Sequence, residues 1–470
     1  MALDPSTKRL LPWLVAVAFF MQTLDSTILN TALPRMASSL GESPLRMQSV
    51  VIAYMLTVAL LIPASGWLAG RFGTRRVFMT AIVIFSLGSL LCALSNSLPM
   101  LVGARVVQGI GGALLPVGRL AVLRGFPRAE LLKVLTFVTI PGLVGPLVGP
   151  TLGGWLVEVA SWHWVFLINL PVGLVGVLAS MRYMPELRGP QGMPFDWGGF
   201  VMFSLGLVLV SLALQGLGER ALSLAASLLM LVGGLAAMVG YWLHAARTEQ
   251  PLFSLAMFRI PTFAIGIAGN LFARLGSGAM PFLMPLFLQV GLGYGPAAAG
   301  LSLVPTAVGA MLCKLFAERL IKRFGYRDVL TGNTLLLGGM IASFGLVGHT
   351  TPQLVILLML GLFGVGNALN FSAMNTLTLG DLDDAHAGGG NSLLSVVMQL
   401  SMSLGVAAGG ALLVAFAGGS SGHVATRSVL QGFQATFVCV GVLSALASLI
   451  FVQLGQREAP TGPAALVDEG

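Results

Sequence analysis

A chain of 470 residues that is 56% hydrophobic and 9% charged, with a mean hydropathy of +0.91, is far too apolar for a water-soluble fold. Its net charge of +8 is scattered through short connecting segments and does not gather on one polar face, which argues against a nucleic-acid surface and for membrane topology. Cys92, Cys313 and Cys439 each fall in an apolar run without metal-type spacing and read as packing residues, so no metal or other cofactor is expected.

The apolar runs are near 20 residues long with a helical period, the length that crosses a hydrocarbon core of about 30 Å at 1.5 Å per residue. They predict an all-α polytopic membrane protein and not a barrel of alternating strands. The first run, 10–34, follows Lys8 and Arg9 as a signal peptide would, but it is longer than a signal core and carries Asp25 and Asn30, so it reads as a retained helix. Runs at 47–69, 77–95, 98–123, 133–157 and 163–184 complete a first group. A central pair follows at 196–216 and 222–245, and a last group at 262–290, 297–317, 329–348, 353–379, 388–417 and 430–453.

Fourteen spans put both termini on one face. With that face cytoplasmic, inner loops and tails carry 17 of the 25 cations, among them Arg71, Arg75, Arg76, Lys322, Arg323, Arg327 and Arg457. Only Arg35, Arg46, Arg220 and Arg427 then lie outside, an asymmetry that predicts cytoplasmic termini. The expected organisation is a six-helix bundle over 1–190, two inserted helices over 191–260, a second six-helix bundle over 261–456 and a mobile polar tail over 457–470.

Asp25 is the one acidic residue placed deep in any of these runs. A charged carboxylate at bilayer depth costs roughly 2.5–3.5 kcal/mol, so it faces a protein interior, a wet cavity or a partner charge. Loss of water also favours the protonated form of a carboxyl, which suits a proton carrier. A fixed helix-packing carboxylate is the purely structural alternative. The other polar residues inside runs include Gln22, Asn30, Arg105, Arg119, Asn270, Arg274, Lys314, Asn367, Asn370, Asn375, Asn391 and Gln399. A cavity lined by Arg119, Arg274 and Lys314 but a single acid favours an anionic or zwitterionic small molecule, unless these cations snorkel to an interface. The five histidines are dispersed near run ends, and no nucleophile–base pair or metal cluster emerges, so an enzyme is not expected.

An internal repeat is visible. GRFGTRR (Gly70–Arg76) matches KRFGYR (Lys322–Arg327) at a shift of about 252 residues, and nearly the same shift brings QGIGGAL (Gln108–Leu114) onto FGVGNAL (Phe363–Leu369). Duplicated halves around a midplane site are a transporter architecture.

Five strings carry a resemblance: LDSTILNTALP (Leu24–Pro34), GWLAGRFGTRR (Gly66–Arg76), ARVVQG (Ala104–Gly109), GLVGPLVGPTLGG (Gly142–Gly154) and SWHWVFLINLPVG (Ser161–Gly173). Together they resemble the major facilitator superfamily, and more closely its fourteen-span drug/proton antiporters of the EmrB/QacA type. The resemblance implies a monomeric exporter in a bacterial inner membrane that exchanges small molecules for protons by alternating access. It assigns proton coupling to Asp25 and Arg105. It assigns conformational roles to Gly66, Arg71, Gly73 and Arg75, to Gln108 and Gly109, and to Gly145, Pro146, Gly149 and Pro150 of a motif that exporters carry and importers generally lack. The glycines at Gly142, Gly145, Gly149 and Gly153 recur at helical spacing and give a smooth face for a neighbouring helix. In the loop, Gly70 stands for the family's Asp and Thr74 for a basic residue, so its charge relay is weakened or uses another partner; separately, His163 stands for the usual Arg. Two other readings remain open here: an exporter of organic acids or their metal chelates, and a non-transporting sensor or scaffold.

Overall fold

A backbone crossing hydrocarbon must satisfy its own N–H and C=O groups, and the helix does so within one segment. The computed structural model describes residues 4–188, 194–219, 223–417 and 426–455, and every regular element among them is helical. In chain order these are α1 (Pro5–Leu40), α2 (Gln48–Phe72), α3 (Thr74–Ala93), α4 (Leu98–Leu114), α5 (Val117–Gly125), α6 (Arg128–Val159), α7 (Trp164–Leu167), α8 (Asn169–Tyr183) and α9 (Trp197–Glu219). They continue as α10 (Leu224–Ala245), α11 (Pro261–Leu286), α12 (Pro296–Ser302), α13 (Val304–Cys313), α14 (Ala317–Ser343), α15 (Gln353–Gly380), α16 (Asp384–Ala417), α17 (Thr426–Leu446) and α18 (Ser448–Phe451). Among the described residues, fourteen helical segments are long and apolar enough to cross a membrane, one for each predicted run.

The ends differ from the hydropathy boundaries because caps, not apolarity, set them. The first helix outruns 10–34 at both ends: Asp4 accepts the Ser6 N–H at its start, and Gly41 closes it in the left-handed conformation at φ 67°. Arg35 therefore lies on the helix and not in a loop. The tenth run ends earlier than 317: it covers Pro296–Cys313 with a break at Leu303, and after a turn over Lys314–Phe316 the next helix begins at Ala317, well before 329, and kinks at Gly325 (φ 78°, ψ 165°). Gly73 has the same backbone (φ 91°, ψ 151°), a conformation that L side chains rarely adopt. The two glycines occupy matching places in the sequence repeat, so the repeat extends to the backbone.

Two compact units result. Unit 1 comprises Met1–Phe195 with Gly293–Val304, and unit 2 comprises Asp196–Leu292 with Pro305–Gly470. In unit 1, α1 packs on α6 and α8, and α4 packs on α2 and α3. In unit 2, α11 packs on α16 and α15, α14 on α15 and α17, and α9 on α10 and α16. Asp196 anchors the start of α9. Its carboxylate accepts from the N–H groups of Gly199 (2.8 Å) and Leu252 (3.1 Å) and lies 2.7 Å from His244 Nε2 on α10. Burial alone would raise this carboxyl, but those hydrogen bonds outweigh it and hold the group below the usual carboxylate range. Arg220, Arg457, residues 189–193 and the expected tail over 457–470 lie outside the described residues.

Candidate functional site

Unit 1 encloses a connected polar cluster drawn from four of its helices. Asp25 on α1 is 1% exposed, and Arg105 on α4 is equally buried. Arg105 Nη1 donates to Asp25 Oδ2 at 2.8 Å, while Oδ1 accepts from Gln108 Nε2 (2.8 Å) and from Asn169 Nδ2 on α8 (3.0 Å). Ser89 Oγ on α3 accepts from the same two amides, at 2.8 and 3.2 Å. Arg105 also donates to Gln108 Oε1 (2.6 Å) and to the Val50 carbonyl (3.4 Å), and its guanidinium lies 4.2 Å from the Tyr54 ring centroid on α2. A buried ion pair costs desolvation, which is offset only when remaining lone pairs and N–H groups find partners, as they do here. Snorkelling of Arg105 is ruled out by its burial.

Glycines set this geometry. A Cβ on Gly88 of α3 would stand 2.5 Å from the Gln108 Cα, and one on Gly111 of α4 would stand 2.4 Å from the Phe85 N. Only without those side chains do α3 and α4 approach closely enough to bring Ser89 and Gln108 together. On the other side of α1, Gly145, Gly149 and Gly153 of α6 face Thr23, Thr27 and Ile28; a Cβ on Gly149 would meet Thr27 Oγ1 at 2.1 Å. The predicted smooth face thus packs on the helix that carries Asp25. Despite Pro141, Pro146 and Pro150, α6 stays one helix. Its neighbour Gly154 abuts the Pro296 carbonyl of α12 within unit 1.

The remaining expected positions separate. In unit 1, Gln22 Nε2 donates to the Gly112 carbonyl (2.9 Å), Asn30 Nδ2 donates to the Ser26 carbonyl (3.3 Å), and the buried Asn30 Oδ1 has no partner. Arg119 is half-buried, 4.8 Å from the Phe19 ring. In the GRFGTRR loop, Gly66 and Arg71 are exposed, and Arg71 lies over Trp67 at 5.4 Å. Arg75 Nε donates to the Met184 carbonyl, and Thr74 is bonded through its hydroxyl to the Pro185 carbonyl (2.8 Å) and the Leu187 N–H (3.1 Å). Thr74 therefore ties the chain after α8 to this loop, a function the sequence did not suggest. Trp164 is exposed, whereas Trp162 is 5% exposed, stacked on His163 and packed edge-on to Phe166.

In unit 2, Arg274 on α11 is 7% exposed. Its Nε donates to Asn270 Oδ1 (2.8 Å), its guanidinium lies 4.4 Å from the Phe371 ring on α15, and Nη2 has no partner. Asn270 Nδ2 in turn donates to the Gly266 carbonyl and to Thr378 Oγ1. Asn370 is buried and bonded to Asn333 (2.7 Å) and Thr334 (3.1 Å), whereas Asn367 is half-buried on the same helix. Lys314 is exposed in the turn after α13, apart from these groups. Asn169, Ser89 and Tyr54 are the residues that sequence reasoning passed over. Asn169 was the findable one, an amide within the conspicuous string Ser161–Gly173. Among the described residues, no three His, Cys, Asp or Glu side chains group as metal ligands.

Known proteins agree with this fold. The sequence pattern of the Major Facilitator Superfamily matches residues 15–406 and 267–467. The chain is 50% identical over 445 residues to a Serratia proteamaculans protein named "Putative multidrug resistance protein MdtD", covering 94% of this chain and 92% of that one. A protein of the same name from Pectobacterium atrosepticum is 50% identical over 451 residues, covering 95% and 96%. Among solved structures, a POT family transporter in complex with 5-aminolevulinic acid aligns with a TM-score of 0.69 at 17% identity, covering 94% of this chain and 95% of that one. A D-xylose-proton symporter aligns at 0.66 and 16%, covering 94% and 97%. With that match over most of its length, relatives half-identical end to end and fourteen helices fit to cross a membrane, the chain belongs to the Major Facilitator Superfamily of multi-pass membrane transporters.

Proposed function

We propose that the protein is a proton-coupled exporter of small molecules in a bacterial inner membrane. It acts as a monomer with both termini in the cytoplasm and alternates access by motion of six-helix bundles over 1–190 and 261–456. The observation that carries this reading is Asp25, a membrane-depth carboxylate enclosed by donors from α4 and α8. Protonation removes the charge that Arg105 answers, so the two protonation states differ in how α1 and α4 are held together. A guanidinium does not itself carry the proton, so Arg105 serves as the counter-charge to the Asp25 carboxylate. In the cycle, the outward-open carrier takes a proton on Asp25 and releases substrate; cytoplasmic substrate binding then displaces that proton. Each charge moved through the potential supplies about 2.3 kcal/mol per 100 mV, enough to drive export against a gradient. The relatives' multidrug resistance names and the exporter-type glycine motif support this direction.

The test is proton release by the purified protein in detergent on adding lipophilic cations or organic anions, with Asp25→Asn alongside. Release by the parent and none by the variant is the expected outcome, together with loss of proton-driven efflux. Efflux that persists undiminished in Asp25→Asn would sink the assignment.

A second reading concerns cargo. Arg274 is a buried cation with an unsatisfied Nη2 and no acid paired with it among the described residues, which favours carboxylate-bearing metabolites or their metal chelates. Arg274→Gln is expected to weaken anion-triggered proton release by about 30-fold or more, the scale of losing one partner of a buried charge pair. Responses to lipophilic cations should survive. Equal loss of both responses, or of neither, would remove Arg274 from cargo recognition.

A further inference from the structure

Two buried polar atoms on neighbouring helices of unit 2 lack a partner among the described residues. One is Nη2 of Arg274 on α11, and the other is Oδ1 of Asn375 on α15. Leaving a buried donor or acceptor unbonded forfeits its hydration with nothing in return, so two such atoms on packed helices point to a ligand that answers both. Asn270 cannot serve them, because it is already bonded to Arg274 Nε, the Gly266 carbonyl and Thr378 Oγ1.

Helix geometry places Asn375 toward Arg274. On α15, the Phe371 ring lies 4.4 Å from the Arg274 guanidinium, and Thr378 Oγ1 accepts from Asn270 at 3.3 Å, so both residues face the Asn270–Arg274 pair. Asn375 follows Phe371 by four residues and precedes Thr378 by three. At 3.6 residues per turn, these three side chains leave the helix within an arc of about 60°. A ligand that satisfies both atoms must accept from a guanidinium and donate to an amide oxygen. A carboxylate meets the first need with a charge-assisted bond. The donor is a hydroxyl and not an ammonium, because an ammonium would stand beside a guanidinium that no acid offsets among the described residues. We propose that Arg274 and Asn375 form a cargo subsite for small hydroxycarboxylates, in which the carboxylate accepts from Arg274 Nη2 and the hydroxyl donates to Asn375 Oδ1. The subsite presupposes the carboxylate cargo proposed above and adds the group that selects among carboxylates.

The test is calorimetric titration of the full chain in mild detergent with malate, succinate and aspartate. These share one dicarboxylate skeleton and carry a hydroxyl, a hydrogen or an ammonium at the same carbon. The parent should bind malate about fivefold tighter than succinate, the scale of one neutral hydrogen bond, and tighter than aspartate. Asn375→Leu, an apolar replacement of similar size, should keep succinate binding and bring malate down to it. Asn375→Ala, which removes the same oxygen without added bulk, carries the same expectation. Arg274→Gln should weaken malate and succinate alike. Equal binding of malate and succinate by the parent would overturn the subsite, as would a preference for aspartate or a malate preference that survives both Asn375 variants. In each of those cases, loss of both dicarboxylates in Arg274→Gln would leave the carboxylate reading standing. A parent that binds none of the three, or an Arg274→Gln variant that binds them as the parent does, would sink that reading and the subsite with it.

Discussion

Arg105→Ala is expected to destabilise the protein by about 3–5 kcal/mol, because it leaves a carboxylate sealed in the interior of unit 1 without its counter-charge. Gln108 and Asn169 would still donate to Asp25, but neutral amides do not replace a guanidinium bonded to the carboxylate at 2.8 Å. The diagnostic is the double variant. Asp25→Asn combined with Arg105→Ala removes both charges and should recover much of the stability lost in Arg105→Ala alone, since the pair's desolvation cost disappears with it. Unfolding followed by loss of helical signal in detergent would measure this. If the double variant were no more stable than Arg105→Ala, the loss would come from packing of the arginine against Tyr54 and not from a stranded charge. Transport should vanish in both variants, so stability and coupling are read separately.

Much of the fold was legible because hydropathy and caps are local properties of the chain. Among the described residues the fourteen runs correspond to fourteen helical segments fit to cross a membrane, and the RFG repeat already located the two glycines whose unusual backbone ends α2 and redirects α14. Asp25 and Arg105 stood out because charges at membrane depth are rare. Asn169 and Ser89 did not, because a hydroxyl or amide inside a helix can usually bond its own backbone, as Thr23, Thr27 and Ser401 do here. Which polar side chain turns instead toward a distant carboxylate depends on how closely four helices approach. That distance is set by positions such as Gly88 and Gly111, whose meaning appears only once their neighbours are known. Lys314 looked like a mid-span cation because hydropathy does not register the break between α13 and α14.

The helix approach yields the second large effect. In an ordinary helix, Gly→Ala stabilises by about 0.5–1 kcal/mol, because alanine loses less backbone entropy on folding. Gly103→Ala on α4 should behave this way, since its added Cβ would meet nothing within 4 Å. Gly88→Ala should reverse the sign. Its Cβ would lie 2.5 Å from both the Cα and the N of Gln108, and backbone atoms cannot swing aside as the tip of a side chain can. The helices must separate, at a cost of about 1–3 kcal/mol for overpacking, and Gln108 is carried away from Asp25 as they do. The same methyl group should therefore lower thermal stability and weaken proton release at position 88, and do neither at position 103. If Gly88→Ala were as stable and active as Gly103→Ala, the contact between α3 and α4 would be looser than the geometry describes, and the hydrogen bonds from Gln108 to Ser89 and Asp25 would not depend on it. A loss of stability with coupling intact would show that the glycine seam holds the bundle together without positioning the amide on the carboxylate.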